Sequence, residues 1–341
     1  MRFWLPDRVY IEPKALAYPM GERIYNFCKE KNIPILKTTS HNQVKGIPGE
    51  TEKEKFANAK RTLVVGTKKS MKLEVCKPSA HYQFSLMTNC PGNCEYCYLF
   101  STQGKKPYVR VYVNLEDIYE TIDKYIEDRR PAATMFEAAS TGDPLAVEHI
   151  TGGLKETIEH FGKLQLGRLR IVTKFSQVDS LLDAQHNGHT RFRFSMNSNY
   201  IIKNFEHNTE ELAERIIAAE KVAKAGYPIG FIIAPIMPHE GWKEGYGQLF
   251  DELSKIKAFQ DKSHIPFELI QHRFTLNAKD VILERYPNTK LDLEEEKRVR
   301  KFGKYGRMKY IYPKDQAQEM KEFITGEIKK NFPKGHVHYF T

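Results

Sequence analysis

The chain has 341 residues, 40% hydrophobic and 12% aromatic, which suits packed cores and about two domains and excludes a fibrous or disordered protein. Its formal net charge of +10 exceeds what an enzyme of a small neutral metabolite needs. It points to a polyanion, nucleic acid before an acidic membrane surface, with an incidentally basic soluble protein as the bland alternative.

Residues 1 to 80 are expected to form a small α/β unit. "RVYIE" reads as a strand, "GERIYNFCKEKN" as a helix with apolar spacing, and "IPIL" and "TLVVGTK" as short strands. "KGIPGETEKEKFANAK", with its glycines, proline and charges, reads as a loop. Cys28 and Cys76 stand alone in this stretch and read as buried, small apolar side chains.

From residue 81 to about 290 strand-like runs alternate with amphipathic helices: "ATMFEAAS" then "AVEHITGGLKETIEHFGK", "RLRIVTKF" then "VDSLLDAQHN", "TRFRFSMNS" then "TEELAERIIAAEKVAKAG", and "PIGFIIAPIM" then "YGQLFDELSKIKAF" before "FELIQHRF". Such alternation predicts parallel βα units, five or six of them, too few for a closed eight-fold barrel. The fold class expected is α/β, a partial (β/α)6 TIM-type barrel. Chemistry in such folds sits at the carboxyl ends of strands, here "STGD", "TKF", "SMNS", "API" and "QHR". Residues 291 to 341 form the third part, in which "KRVRKFGKYGRMKYIYPK" reads as a basic β-hairpin with a glycine-containing turn.

Three of the five cysteines, Cys90, Cys94 and Cys97, lie within "CPGNCEYCYLF", spaced C-x3-C-x2-C after the strand-like "AHYQFSLM". No even disulfide framework is suggested. A structural zinc wants a fourth ligand, which His81 or a distant residue could supply. An iron–sulfur cluster also usually takes four cysteines, so three leave one iron open.

This spacing, with aromatics around it and βα units downstream, resembles the radical S-adenosylmethionine (SAM) superfamily. There the open iron of a 4Fe–4S cluster binds SAM. "LPDRVYIEP", "CPGNCEYCYLF", "RFRFSMNS", "APIMPHEGW", "FELIQHRFT", "LDLEEEKRVRKFGKYGRMKY" and the terminal "VHYFT" together resemble the spore photoproduct lyase family over essentially the whole chain. The resemblance implies repair of the methylene-linked thymine dimer that ultraviolet light makes in spore DNA. Reductive cleavage of SAM gives a 5′-deoxyadenosyl radical, which takes a hydrogen from the dimer. β-Scission and a returned hydrogen atom then restore two thymines.

The same resemblance implies Cys90, Cys94 and Cys97 as cluster ligands, and Tyr96 and Tyr98 beside SAM as hydrogen relays. Lys174 is implied for the SAM carboxylate, Ser195 and Asn197 for the ribose or methionyl part, and Ala234 for the adenine. Most of the superfamily holds the SAM amine with a Gly-Gly-Glu-like segment. Here the matching place reads Ser140-Thr141-Gly142-Asp143, leaving Asp143 as the candidate. The family's "FEAAC" ends in a cysteine that donates the final hydrogen, whereas this chain has "FEAAS". An alcohol O–H is too strong to give hydrogen to an allylic radical, so Ser140 predicts impaired completion. Cys28 and Cys76 are not obviously placed to substitute.

Duplex DNA with a flipped-out lesion needs cations and an aromatic or apolar wedge. The hairpin offers Lys304, Tyr305, Arg307, Lys309 and Tyr310, with Tyr305 at the expected turn as wedge. Arg273 and Tyr200 are further contacts, and His272 reads as structural. A small electron-donor protein is an implied partner, no membrane partner is expected, and the chain is expected to be a monomer. No apolar stretch reaches membrane length and the N-terminus has no secretory pattern. Cytoplasmic location, in the bacterial spore core, is therefore expected. Two alternatives stay open: a radical SAM enzyme acting on RNA or protein, and a non-enzymatic zinc-clipped nucleic-acid-binding protein.

Overall fold

A computed structural model describes residues 3–99, 107–138, 140–303 and 308–341. In chain order it contains β1 (Arg8–Ile11), α1 (Pro19–Glu30), β2 (Ile35–Lys37), α2 (Glu52–Lys60), β3 (Thr62–Gly66), β4 (Glu74–Val75), β5 (Tyr82–Gln83), β6 (Met87–Thr88), β7 (Asn93–Cys94) and β8 (Val109–Tyr112). Then come α3 (Leu115–Glu127), β9 (Thr134–Glu137), α4 (Glu148–Thr151), α5 (Gly153–Lys163), β10 (Gly167–Thr173), β11 (Thr190–Met196), α6 (Asn199–Phe205), β12 (Glu206–His207), α7 (Leu212–Lys224) and β13 (Ile229–Ile236). The rest is α8 (Trp242–Ser254), α9 (Lys257–Gln260), β14 (Ile265–Gln271), α10 (Leu276–Arg285), β15 (Val299–Phe302), β16 (Met308–Ile311), α11 (Lys314–Asn331) and β17 (Gly335–Phe340).

The chain divides into two compact units, residues 1–91, 103–192 and 225–228 in one and 92–102, 193–224 and 229–341 in the other. The first holds a sheet in the order β2-β1-β3-β8-β6, parallel except for β6. Its central strands are Val- and Leu-rich and buried on both faces, as parallel strands must be. The same unit pairs β9 in parallel with both β5 and β10. In the second unit β14 pairs in parallel with β13 and β17, and β15 with β16 antiparallel. The register of that hairpin is Val299 against Ile311 through Phe302 against Met308.

The expected alternation is present: β9, β10, β11, β13 and β14 are followed by α5, a single 3-10 turn at Asp179–Leu181, α7, α8 and α10. Two local readings change. "EKEKFANAK" is α2, not loop, because Thr51 caps it: Thr51 Oγ1 accepts the Glu54 amide while Glu54 reaches back to the Thr51 amide. "VDSLLDAQHN" forms only that one turn. It ends in a tight bend with left-handed Asn187 and Gly188, and Tyr227 takes the Leu181 carbonyl at 2.5 Å. The terminal "VHYFT" contributes β17, whose Tyr339 hydroxyl donates to buried Glu268 at 2.6 Å. Among the described residues no helix is long and apolar enough to cross a membrane.

Candidate active site

In the first unit the carboxyl end of β9 carries Ser140, Thr141, Gly142 and Asp143. Thr141 is tied on both sides. Its hydroxyl bonds Ser85 at 3.0 Å and the Met87 carbonyl at 3.1 Å, and its carbonyl accepts the Asn89 amide at 2.7 Å. Gly142 bridges Asn89 so closely that a Cβ there would stand 2.6 Å from the Asn89 carbonyl oxygen, so glycine is required. Asp143 is buried and accepts the Lys174 backbone amide at 3.0 Å, bringing those two candidates together at the ends of β9 and β10. Cys90 offers its carbonyl to the Lys60 ammonium.

Cys76 lies in this region too. Its Sγ is 3.4 Å from Ser140 Oγ, within hydrogen-bonding distance for sulfur. Cys76, not obviously placed from the sequence, therefore stands beside Ser140. The hairpin β4–β5 folds position 76 back against the end of β9, a contact across 64 residues that no local pattern announces. Cys28 fits its reading as a core residue: it is fully buried on α1, and burial pushes its thiol up to about 11.

In the second unit the arc from Asn93 to Cys97 is held from several sides. β7 pairs antiparallel with β12, placing Cys94 opposite Glu206 and Asn93 opposite His207. The Glu95 amide donates to the Phe205 carbonyl at 2.9 Å, and the Cys97 amide to the Cys94 carbonyl at 3.1 Å. The Glu95 carboxylate meets His207 Nε2 at 2.8 Å and accepts the Thr289 hydroxyl. Tyr286 donates its hydroxyl to the Asn93 carbonyl at 3.1 Å. The Tyr96 hydroxyl donates to Glu206, which pairs with fully buried Arg215 at 2.6 Å. Burial, then the Glu206 charge, holds the Tyr96 phenol well above the ordinary tyrosine range, so it is neutral. Tyr98, by contrast, is 60% exposed.

At the strand ends of this unit, Ser195 and Asn197 are buried on one side of the β11 terminus, and Asn197 donates to the Pro235 carbonyl at 2.9 Å. Ala234 is half-buried on β13. Tyr200 stacks on His239 with ring centroids 3.9 Å apart. Arg273 is exposed beyond β14. Lys309 on β16 is half-buried, and burial first, then Arg273 and Lys301, pulls its ammonium below the usual lysine range. Tyr310 is only 3% exposed and stacks on Phe274 at 5.4 Å, so it serves as the hairpin's anchor. Arg298 completes the anchor, lying 3.6 Å over the Tyr312 ring and donating to the His272 carbonyl at 3.2 Å. Lys304, Tyr305 and Arg307 lie outside the described residues. Phe302, 76% exposed, is an aromatic that the sequence reading passed over.

All three motif cysteines stand outside disulfides, and their thiols are the donor set that iron–sulfur chemistry requires. Among the described residues no three His, Cys, Asp or Glu side chains converge as ligands of a single ion. A 4Fe–4S cluster spreads its thiolates over different irons and does not need such a point. The fold of parallel βα units, with the three-cysteine motif, defines a radical SAM enzyme.

The chain matches the family model described as "Spore photoproduct lyase" over residues 4–341. It is 52% identical over 341 residues to the spore photoproduct lyase of Geobacillus sp. (strain Y412MC61), covering 100% of both chains, and 52% identical over 338 residues to that of Bacillus subtilis (strain 168), covering 99% of both. Among solved structures it superposes with a TM-score of 0.97, at 52% identity and 100% coverage of both chains, on spore photoproduct lyase complexed with dinucleoside spore photoproduct. It superposes equally, with the same identity and coverage, on a mutant lyase with bound AdoMet and the same dinucleoside. The chain belongs to the spore photoproduct lyase family. Its activity is that of a radical SAM lyase that repairs the spore photoproduct, and its cofactors are a 4Fe–4S cluster and SAM.

Proposed function

We propose that this chain completes the repair with Cys76 as the hydrogen donor that other members carry at position 140. The carrying observation is the 3.4 Å separation of Cys76 Sγ from Ser140 Oγ. A thiol S–H is weak enough to pass its hydrogen to an allylic thymine radical; the serine O–H is not. One bond breaks at sulfur and one C–H bond forms on the thymine methyl carbon. The thiyl radical left behind is refilled, through the relay that the family reading gives to Tyr96 and Tyr98, by a hydrogen atom from 5′-deoxyadenosine, the one first taken from the dimer, which returns the 5′-deoxyadenosyl radical. One solved relative is described as a mutant with the cysteine at position 140 replaced by alanine and the serine at position 76 by cysteine, with AdoMet and dinucleoside spore photoproduct bound. That arrangement supports position 76 as a place for the donor. A thiol transposed to position 76 offsets the impairment expected of Ser140.

Cys90, Cys94 and Cys97 hold the cluster, which with bound SAM supplies the 5′-deoxyadenosyl radical. The family reading gives SAM contacts to Lys174, Asp143, Ser195, Asn197, Ala234 and Tyr96. Arg273, Lys309 and Tyr200, together with Lys304, Tyr305 and Arg307, meet the DNA, and exposed Phe302 joins Tyr305 as a wedge candidate. Tyr310 contributes through its stack on Phe274. The functional division is an α/β support over 1–80, the catalytic barrel over 81–290 and a DNA-reading region over 291–341. The chain works as a monomer in the spore core, on duplex DNA, with a small electron-donor protein. The test is anaerobic turnover of lesion-bearing DNA by wild type, Cys76→Ala and Ser140→Cys. Clean thymine from wild type, lost in Cys76→Ala and kept in Ser140→Cys, is expected. Clean, equally fast thymine from Cys76→Ala would remove Cys76 from the reaction.

A further inference from the structure

One buried guanidinium ties together two parts of the second unit. Arg215 Nη2 lies 2.6 Å from Glu206 Oε2 and 3.0 Å from Thr209 Oγ1. Its Nη1 donates to the Ser195 carbonyl at 2.9 Å, and its Nε to the Glu210 carbonyl at 2.8 Å. The other Glu206 oxygen accepts the Tyr96 phenol, and the Glu206 backbone pairs with Cys94. A single ion pair thus reaches both the residue between two motif cysteines and the carboxyl end of β11, where Ser195 stands.

A buried ion pair is weak evidence for stability, because a well-packed apolar replacement is often as good or better. This one calls for a reason of another kind. We infer that Glu206, held by Arg215, is a positioning residue that fixes Tyr96 and the Cys94–Cys97 arc in place before the cofactor is loaded. A charge-assisted bond to a carboxylate is short and directional, and it locks the phenol's rotamer. The inference rests on Cys94 and Cys97 being ligands.

Removing either charge alone strands its partner in the interior, so the test removes both. Three full-length, iron-free variants are compared with wild type: Glu206→Leu/Arg215→Met, Glu206→Gln/Arg215→Met, and Tyr96→Phe. Amide exchange over residues 93–97 is followed by mass spectrometry, with thermal melting as the control for folding. Each protein is then reconstituted with iron and sulfide, and loss of iron to a chelator is timed. Glu206→Leu/Arg215→Met is expected to melt within about 4 °C of wild type. Its arc should exchange about tenfold faster, and its iron should leave about fivefold faster. Glu206→Gln/Arg215→Met restores a neutral acceptor for the phenol and should recover both, while Tyr96→Phe should behave as the Leu/Met pair. Unchanged exchange in the Leu/Met pair, or no recovery with Gln, overturns the inference. If neither double variant folds, Tyr96→Phe decides: faster exchange supports it and unchanged exchange overturns it. Wild type that takes up no cluster would instead remove the ligand assignment, while the exchange data still judge the positioning claim.

Discussion

The cysteine arc and the basic hairpin belong to the same unit and are built in opposite ways. The arc is short, and every residue from Asn93 to Cys97 is tied by pairing with β12, by a backbone hydrogen bond or by a side chain. The hairpin is anchored at its base by Arg298, Tyr310 and Phe274, while β15 presents Val299, Arg300, Lys301 and Phe302 to solvent. Chemistry at a cluster needs ligands held to a fraction of an ångström, so one substitution should be decisive. Phosphate binding is a sum of nearly independent charges, so each substitution should be partial.

Three sets of substitutions probe that difference, the largest effect first. Cys94→Ala or Cys97→Ala should remove the cluster: iron after reconstitution falls from about four per chain to background, and 5′-deoxyadenosine formation goes with it. Full iron in either variant would show that the arc does not ligate. On the hairpin, Arg300→Ala/Lys301→Ala/Lys309→Ala should leave iron content intact and weaken DNA binding about tenfold. The slope of log affinity against log salt should fall by roughly 2 to 3. Binding and slope both unchanged would take the hairpin out of the interface.

The smallest effect concerns the hairpin's base. Burial, then the Arg298 charge, pushes His272 from 6.5 down to about 3. The unfolded chain therefore takes up this proton near pH 6.5 while the folded chain refuses it. The stability contribution is whole above that pH and is lost as pH falls toward 3, at about 1.4 kcal/mol per unit. At pH 5 wild type should have lost ~2 kcal/mol from this residue relative to His272→Gln. Urea melts of both proteins at pH 7 and pH 5 measure it, and parallel losses would show that His272 is not buried neutral.

How much of this was legible in the sequence follows from how local each signal is. The three cysteines announce themselves within eight residues, and the βα rhythm repeats apolar runs that short windows can read. α2 was misread although Thr51 and Glu54 stand in capping-box spacing, because its body is polar and lacks an apolar stripe. Glu206 and Arg215 had no motif to mark them; their roles come from the pairing of β12 with β7, which only the folded chain makes. Cys76 is the sharpest case. Read alone it was a small apolar residue, and Ser140 read alone was a missing donor. Their meeting depends on where β4 and β5 lie against β9, a tertiary fact.

The most direct test of the transposed donor is product analysis of lesion-bearing DNA turned over anaerobically with SAM and dithionite by Cys76→Ala. The expected result is that 5′-deoxyadenosine still forms and the bridge still breaks, but the thymine radical accumulates as trapped adducts instead of thymine. Clean thymine at the wild-type rate would contradict it and leave Cys76 a bystander beside Ser140.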